Sequence, residues 1–134
     1  MCDFCGCPEI EPFAMLTEDH ATLDVLARLF AEGGHALDLE VLRVSWEDHR
    51  ATQAAVRSLA RSLRLDEVVE VEAHRDALLE TLLGQPVPAG RGLRGAVRDH
   101  IDGWEFEVFP QIVLAADPDE LEEAARAAAT ARAG

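Results

Sequence analysis

Four histidines, His20, His49, His74 and His100, are spread one apiece over four consecutive segments that each read as an amphipathic helix. Imidazole is the commonest side-chain metal ligand, and a polar group placed on an apolar helix face is costly without a partner. Four of them aimed at one interior form the pattern by which a helical bundle holds a metal ion inside itself. Carboxylates accompany them. Glu70 precedes His74 by one turn, and Glu105 follows His100. Asp24 and Gln53, one turn after His20 and His49, are further candidates for the metal or its surroundings, as is Glu107 at the edge of its stripe.

The helices that must position these groups follow from the apolar period. Between Pro12 and Ala31, the residues Phe13, Leu16, His20, Leu23, Ala27 and Phe30 recur at three and four, the spacing of one helix face. In the second segment Leu42, Trp46, His49, Gln53, Val56, Ala60 and Leu63 do the same. The third gives Val71, His74, Leu78 and Leu82, with Glu67 and Glu70 on that stripe and Glu72 read as a solvated acid. The fourth gives Val97, Ile101, Trp104, Val108 and Ile112, with His100 and Glu105 flanking it on opposite sides. Trp46 and Trp104 read as core aromatics, and His35 as an exposed loop residue.

Gly33-Gly34 ends the first helix and Gly84 the third, the latter followed by Pro86, Pro88, Gly90 and Gly92. Asp66 is a reasonable N-cap for the third. Asp117-Pro118-Asp119-Glu120 opens an alanine-rich fifth helix whose acidic first turn suits its dipole. Short connections imply antiparallel neighbours. The expectation is an all-α chain: a tail at 1–11, an up-down antiparallel four-helix bundle at 12–114, and an additional C-terminal helix at 115–134.

The 134 residues suit one domain, and 26 acidic against 12 basic residues give a net charge of −14. That balance argues against nucleic acid or an anionic membrane as partner, since both reward a basic face. No apolar run approaches the length that spans a bilayer, and no secretory leader is visible. A cytoplasmic location is the expectation.

The chain resembles the hemerythrin-like family, the HHE cation-binding domain, over roughly Ile10 to Ile112. The resemblance rests on Leu16-Thr17-Glu18-Asp19-His20, Asp48-His49, Glu72-Ala73-His74, and His100-Ile101-Asp102-Gly103-Trp104-Glu105 followed by Val108-Phe109-Pro110. The last stretch is similar to the family's closing H-I-x-x-E-E-x-x-x-F-P signature. The resemblance implies a four-helix bundle around two non-haem irons with bridging carboxylates, used to bind dioxygen, to store or sense iron, or to react with oxidants. The departures are specific. Gln53 stands where the family carries a glutamate, Trp104 stands four after His100, and Glu70 stands where a second histidine can occur in the third helix.

A mixed set of His20, His49, His74, His100, Glu70 and Glu105 fits two irons, since imidazole with carboxylate favours iron in a mixed site. Zinc or manganese are the other metals such a set admits, and without Glu70 it shrinks to a single-ion site of iron or zinc. Cys2, Cys5 and Cys7 form C-x-x-C-x-C, one thiol short of a structural zinc site, and read as redox thiols, with a three-thiolate metal clip, delivery of metal to the bundle and a partly disulfide-linked tail as the other readings. Three functions remain open: a centre that binds or senses dioxygen, peroxide or nitric oxide; a diiron oxidase or oxygenase; and a metal-free structural bundle. No nucleophile pair, phosphate loop or cofactor fingerprint names a substrate.

Overall fold

The computed structural model describes residues 10–133. Cys2, Cys5 and Cys7 lie outside the described residues. The elements are α1 (Phe13–Gly33), α2 (Ala36–Ser62), α3 (Asp66–Leu83), α4 (Gly90–Asp102), a π-helical segment (Gly103–Val108), α5 (Phe109–Ala115) and α6 (Pro118–Ala133). Among the described residues there is no strand, and no helix is long and apolar enough to cross a membrane. α1 packs on α2 and α4, α3 packs on α4, and α6 lies on α2.

Local chemistry sets the ends. Gly34 takes the left-handed conformation at φ 65°, which glycine adopts without a Cβ clash, and its N–H closes α1 on the Phe30 carbonyl at 2.7 Å. α6 opens on a reciprocal capping box: Glu120 N–H donates to Asp117 Oδ1 at 2.8 Å, and Asp117 N–H donates to Glu120 Oε1 at 3.0 Å. Asp66 is instead the first residue of α3, whose cap position, Leu65, makes no side-chain capping bond.

α4, the π segment and α5 run on without a break in helical backbone. Pro110 supplies the reason for the widened turn. It has no N–H for the carbonyl four residues back, and its ring crowds that carbonyl, so the chain before it is pushed towards the i to i+5 pattern.

The buried residues of α1 are Phe13, Leu16, His20, Leu23, Ala27 and Phe30, the stripe the period predicts. α3 differs. Its buried residues are Val69, Glu72, Asp76, Leu79 and Leu83, while Val71 and Leu78 are exposed. Valines and leucines stand in adjacent pairs along α3, so two phases of a 3.6-residue repeat are almost equally apolar. Packing selects the phase that turns Glu72 and Asp76 inward.

The interior divides into two apolar clusters. One gathers Phe13, Leu16, Val56, Trp104 and Phe109 with their neighbours; the other gathers Leu23, Phe30, Trp46, Leu79 and Val97 with theirs. Along each of α1, α2, α3 and α4 the residues between these clusters are polar: His20, His49 with Gln53, Glu72 with Asp76, and His100. Burial of the apolar layers at about 25 cal/mol per Å² holds a polar layer in place that could not bury itself.

Candidate metal centre

Three of the four helix histidines meet. His20, His49 and His100 are 2 %, 1 % and 0 % exposed, and one nitrogen from each lies within 4.8 Å of the others. Their rings form a triangle with centroids 4.9 Å, 5.2 Å and 5.2 Å apart.

Each ring is anchored at its outer nitrogen by a carboxylate. His20 Nδ1 donates to Glu105 Oε2 at 2.6 Å, His49 Nδ1 to Asp19 Oδ2 at 2.9 Å, and His100 Nδ1 to Asp76 Oδ1 at 2.6 Å. A carboxylate on Nδ1 fixes the tautomer and the ring plane and makes the other nitrogen more basic, the arrangement found behind most metal-bound histidines. The carboxylates are themselves held. Asp76 Oδ2 accepts from Gln53 Nε2 and from Arg57, each at 2.9 Å, and Asp19 Oδ2 accepts from Arg132 at 2.5 Å.

The inner nitrogens then converge. His49 Nε2 and His100 Nε2 are 3.0 Å apart, and His20 Nε2 is buried without a hydrogen-bond partner among the described residues. With the protons on Nδ1, all three inner nitrogens present lone pairs to one space, and two lone pairs at that separation repel. A cation among them removes the conflict. The donor set therefore fits a metal ion of the kind that takes neutral imidazole: zinc, iron, copper or nickel.

The electrostatics agree with neutral rings at His20 and His100. Burial, helped by the neighbouring His49 and His100, holds the His20 pKa well below its ordinary value. Burial likewise lowers that of His100 against the opposing pull of Asp76. Burial alone would raise the Asp76 carboxyl, but the bonds from His100 and Gln53 and the charge of Arg57 together bring it below the usual carboxylate range. Asp19 is lowered in the same way by His49 and Arg132 against its own desolvation. Glu105 is raised by burial.

The other sequence candidates fall elsewhere. His74 is exposed on the outer face of α3, because the phase that buries Asp76 turns position 74 outward. Glu70 is exposed beside Arg61, 3.8 Å away. Both are corrected from ligands to surface residues. Asp24 lies near Arg98 at 3.7 Å, and Glu107 is exposed in an open cleft with Arg75 and Asp102. Glu105 reaches the centre at one remove, through His20. Gln53 does so through Asp76.

In an α-helix, positions 100 and 105 would lie about 140° apart. The π segment brings Glu105 round to the buried face, where it is 7 % exposed. Trp46 and Trp104 pack around His100 at centroid distances of 4.8 Å and 6.4 Å, and the indole N–H of each has no acceptor among the described residues.

Sequence reasoning missed Asp19, Asp76, Arg57 and Arg132, and took Glu72 for a solvated acid. Glu72 is 1 % exposed. A readable signal existed only for Asp76, whose spacing from Val69, Leu79 and Leu83 marks the alternative stripe of α3. No protein-family model, no curated protein and no solved structure matches this chain.

Proposed function

We propose that this chain is a metal-binding protein with the hemerythrin-like arrangement, an up-down antiparallel four-helix bundle with an additional C-terminal helix, that holds one divalent first-row metal ion on Nε2 of His20, His49 and His100. The observation that carries this reading is the facing pair of inner nitrogens at 3.0 Å, each ring being held from behind by a carboxylate. Non-haem iron is the metal that accords with the family resemblance, and zinc is its competitor on ligand chemistry.

One ion is favoured over two. The carboxylates that would bridge a second ion are engaged as anchors, Glu105 on His20, Asp76 on His100 and Asp19 on His49. Glu70 is too exposed to serve.

Three protein ligands leave coordination positions open, as in sites that bind a small molecule and unlike closed structural ones. A bound ion would supply a Lewis-acidic or redox-active point for dioxygen, peroxide or nitric oxide. The residues of the chain supply the rest. The three carboxylate-anchored rings fix the direction of the lone pairs. Trp46 and Trp104, packed against His100, would wall the site and limit the entry of water. Three imidazoles, each backed by a carboxylate, favour a cation over an anion.

The test is the metal content of protein purified without tags or chelators, followed by X-ray absorption at the iron and zinc edges. One equivalent of iron or zinc, with three imidazole ligands, is the expected result. Two equivalents with bridging carboxylate, or none after incubation with either ion, would overturn it. Reversible change of the iron spectrum with dioxygen or nitric oxide distinguishes a binding centre from an oxidase that consumes the oxidant.

A further inference from the structure

The last turn of α6 reaches the centre through one side chain. Arg132 and Asp19 are 113 residues apart in sequence, yet the guanidinium donates to Asp19 Oδ2 at 2.5 Å, and the same oxygen accepts His49 Nδ1 at 2.9 Å. Arg132 and His49 are the side-chain partners of Asp19 among the described residues. The equivalent carboxylate behind His100 is held twice, by Gln53 and by Arg57, both on α2. Asp19 relies on a single cation, and that cation comes from outside the four helices that supply the polar layer.

The placement of Arg132 is set by packing. Ala124 and Ala128, one turn apart, are the buried residues of α6, and the helix lies along α2. Small side chains permit close approach, so the helix is fixed against the element that carries His49. A cleft of about 380 Å³ lined by Asp19, Thr22, Ser45, Asp48 and Arg132 opens beside the contact. Without the guanidinium, water there would compete with His49 for the carboxylate.

We propose that Arg132 is a positioning residue for the metal centre: by holding Asp19 on His49 Nδ1, the docked end of α6 sets how tightly the ion is retained. The inference rests on the three-histidine reading above. Groups that orient a metal-bound histidine from behind are worth 10- to 100-fold in metal affinity in known sites. The side chains of Arg132 and Asp19 are 39 % and 18 % exposed. The contact is therefore partly screened by salt, which a fully buried ion pair would not be. Metal retention in the wild-type chain should weaken at high ionic strength for this reason.

The experiment measures zinc and cobalt(II) affinity by competition with a chromophoric chelator, at low and high salt, alongside the cobalt(II) absorption spectrum and the helical content by circular dichroism. The variants are Arg132→Met, Arg132→Lys, Arg126→Met as an α6 surface control, and His49→Ala. Arg132→Met should bind about 10- to 100-fold more weakly, with a shifted cobalt spectrum and unchanged helicity. Arg132→Lys should recover part of both, and Arg126→Met should match wild type.

If Arg132→Met binds like wild type while His49→Ala loses the ion, the positioning role is overturned and the three-histidine site stands. Retention of the ion by His49→Ala overturns the site itself. Weaker binding with lost helicity and no recovery in Arg132→Lys would assign the effect to undocking of α6 and also overturn the positioning role.

Discussion

His49 Nε2 and His100 Nε2 face each other at 3.0 Å across the interior, with Asp19 and Asp76 on the far nitrogens of the two rings. A core built for apolar packing alone has no use for that geometry, because each buried lone pair without a donor costs free energy. Replacing His20, His49 or His100 singly by alanine should abolish stoichiometric metal retention, and the surface change His74→Ala should leave it intact. An ion at 100 times its dissociation constant stabilises the fold by about 2.7 kcal/mol. Adding a chelator should therefore lower the melting temperature of wild type and of His74→Ala but not of the other three. Equal chelator sensitivity in all four variants would sink the ligand assignment.

Gln53 donates to Asp76 Oδ2 at 2.9 Å and is 2 % exposed. Gln53→Glu would set a second carboxylate against Asp76 in a buried layer, without supplying a bridge between metals. The introduced acid would have its pKa raised by burial and by Asp76, so the variant should be most stable when that acid is protonated and lose stability as pH rises. A loss of about 2 to 4 kcal/mol at neutral pH is expected, and a smaller one near pH 5, read by urea denaturation. Loss of the same size at both pH values would contradict the contact with Asp76.

The stripes of α1 and α2 were legible because the aromatic residues Phe13, Phe30 and Trp46 share one helical phase with Leu16, Leu23, Leu42 and Val56, and that phase carries His20 and His49 on the buried face, while Val25, Leu29, Val41 and Val44 stay exposed. α3 was not. Its paired valines and leucines satisfy two phases, and the polar identity of Glu72 and Asp76 argued for the wrong one. Asp76 is buried only because His100, Gln53 and Arg57 satisfy it, and all three lie far along the chain. The role of Glu105 was hidden for another reason. A period of 3.6 places it off the face of His100, and the π segment that corrects this depends on Pro110. The Arg132 contact joins the two ends of the chain and leaves no periodic trace.

Glu72 carries a pH dependence of its own. Its carboxyl is 1 % exposed, Oε2 has no hydrogen-bond partner among the described residues, and burial, with further repulsion from Asp76 and Glu107, raises its pKa to about 7 despite Arg75 at 2.9 Å. The folded chain therefore keeps a proton that the unfolded chain, with an ordinary value near 4.5, releases. The sign follows from linkage: the contribution is fully present below about pH 4.5 and is lost as pH rises towards 7, at up to about 1.4 kcal/mol per unit. Glu72→Gln should flatten that decline and be the more stable protein at pH 7 and above. Parallel stability profiles for wild type and Glu72→Gln would show that the acid titrates in the fold as it does in the unfolded chain, and would overturn the raised pKa.

The same carboxyl explains the glycine that opens the π segment. A Cβ built on Gly103 would stand 2.1 Å from Glu72 Oε2 and 2.4 Å from its carboxyl carbon, so the acid occupies the space a side chain would fill. The φ of Gly103 is −61°, and left-handed conformation plays no part. Gly103→Ala must therefore displace a buried carboxyl, at a cost of about 1 to 3 kcal/mol for overpacking. Residues in direct contact do not act additively. In the Glu72→Ala background the space is vacated, and Gly103→Ala should become neutral or slightly stabilising, because alanine is the better helix former. A double-mutant cycle by urea denaturation measures the difference. Two additive losses would show that Gly103 is required by the backbone of the π turn and not by Glu72.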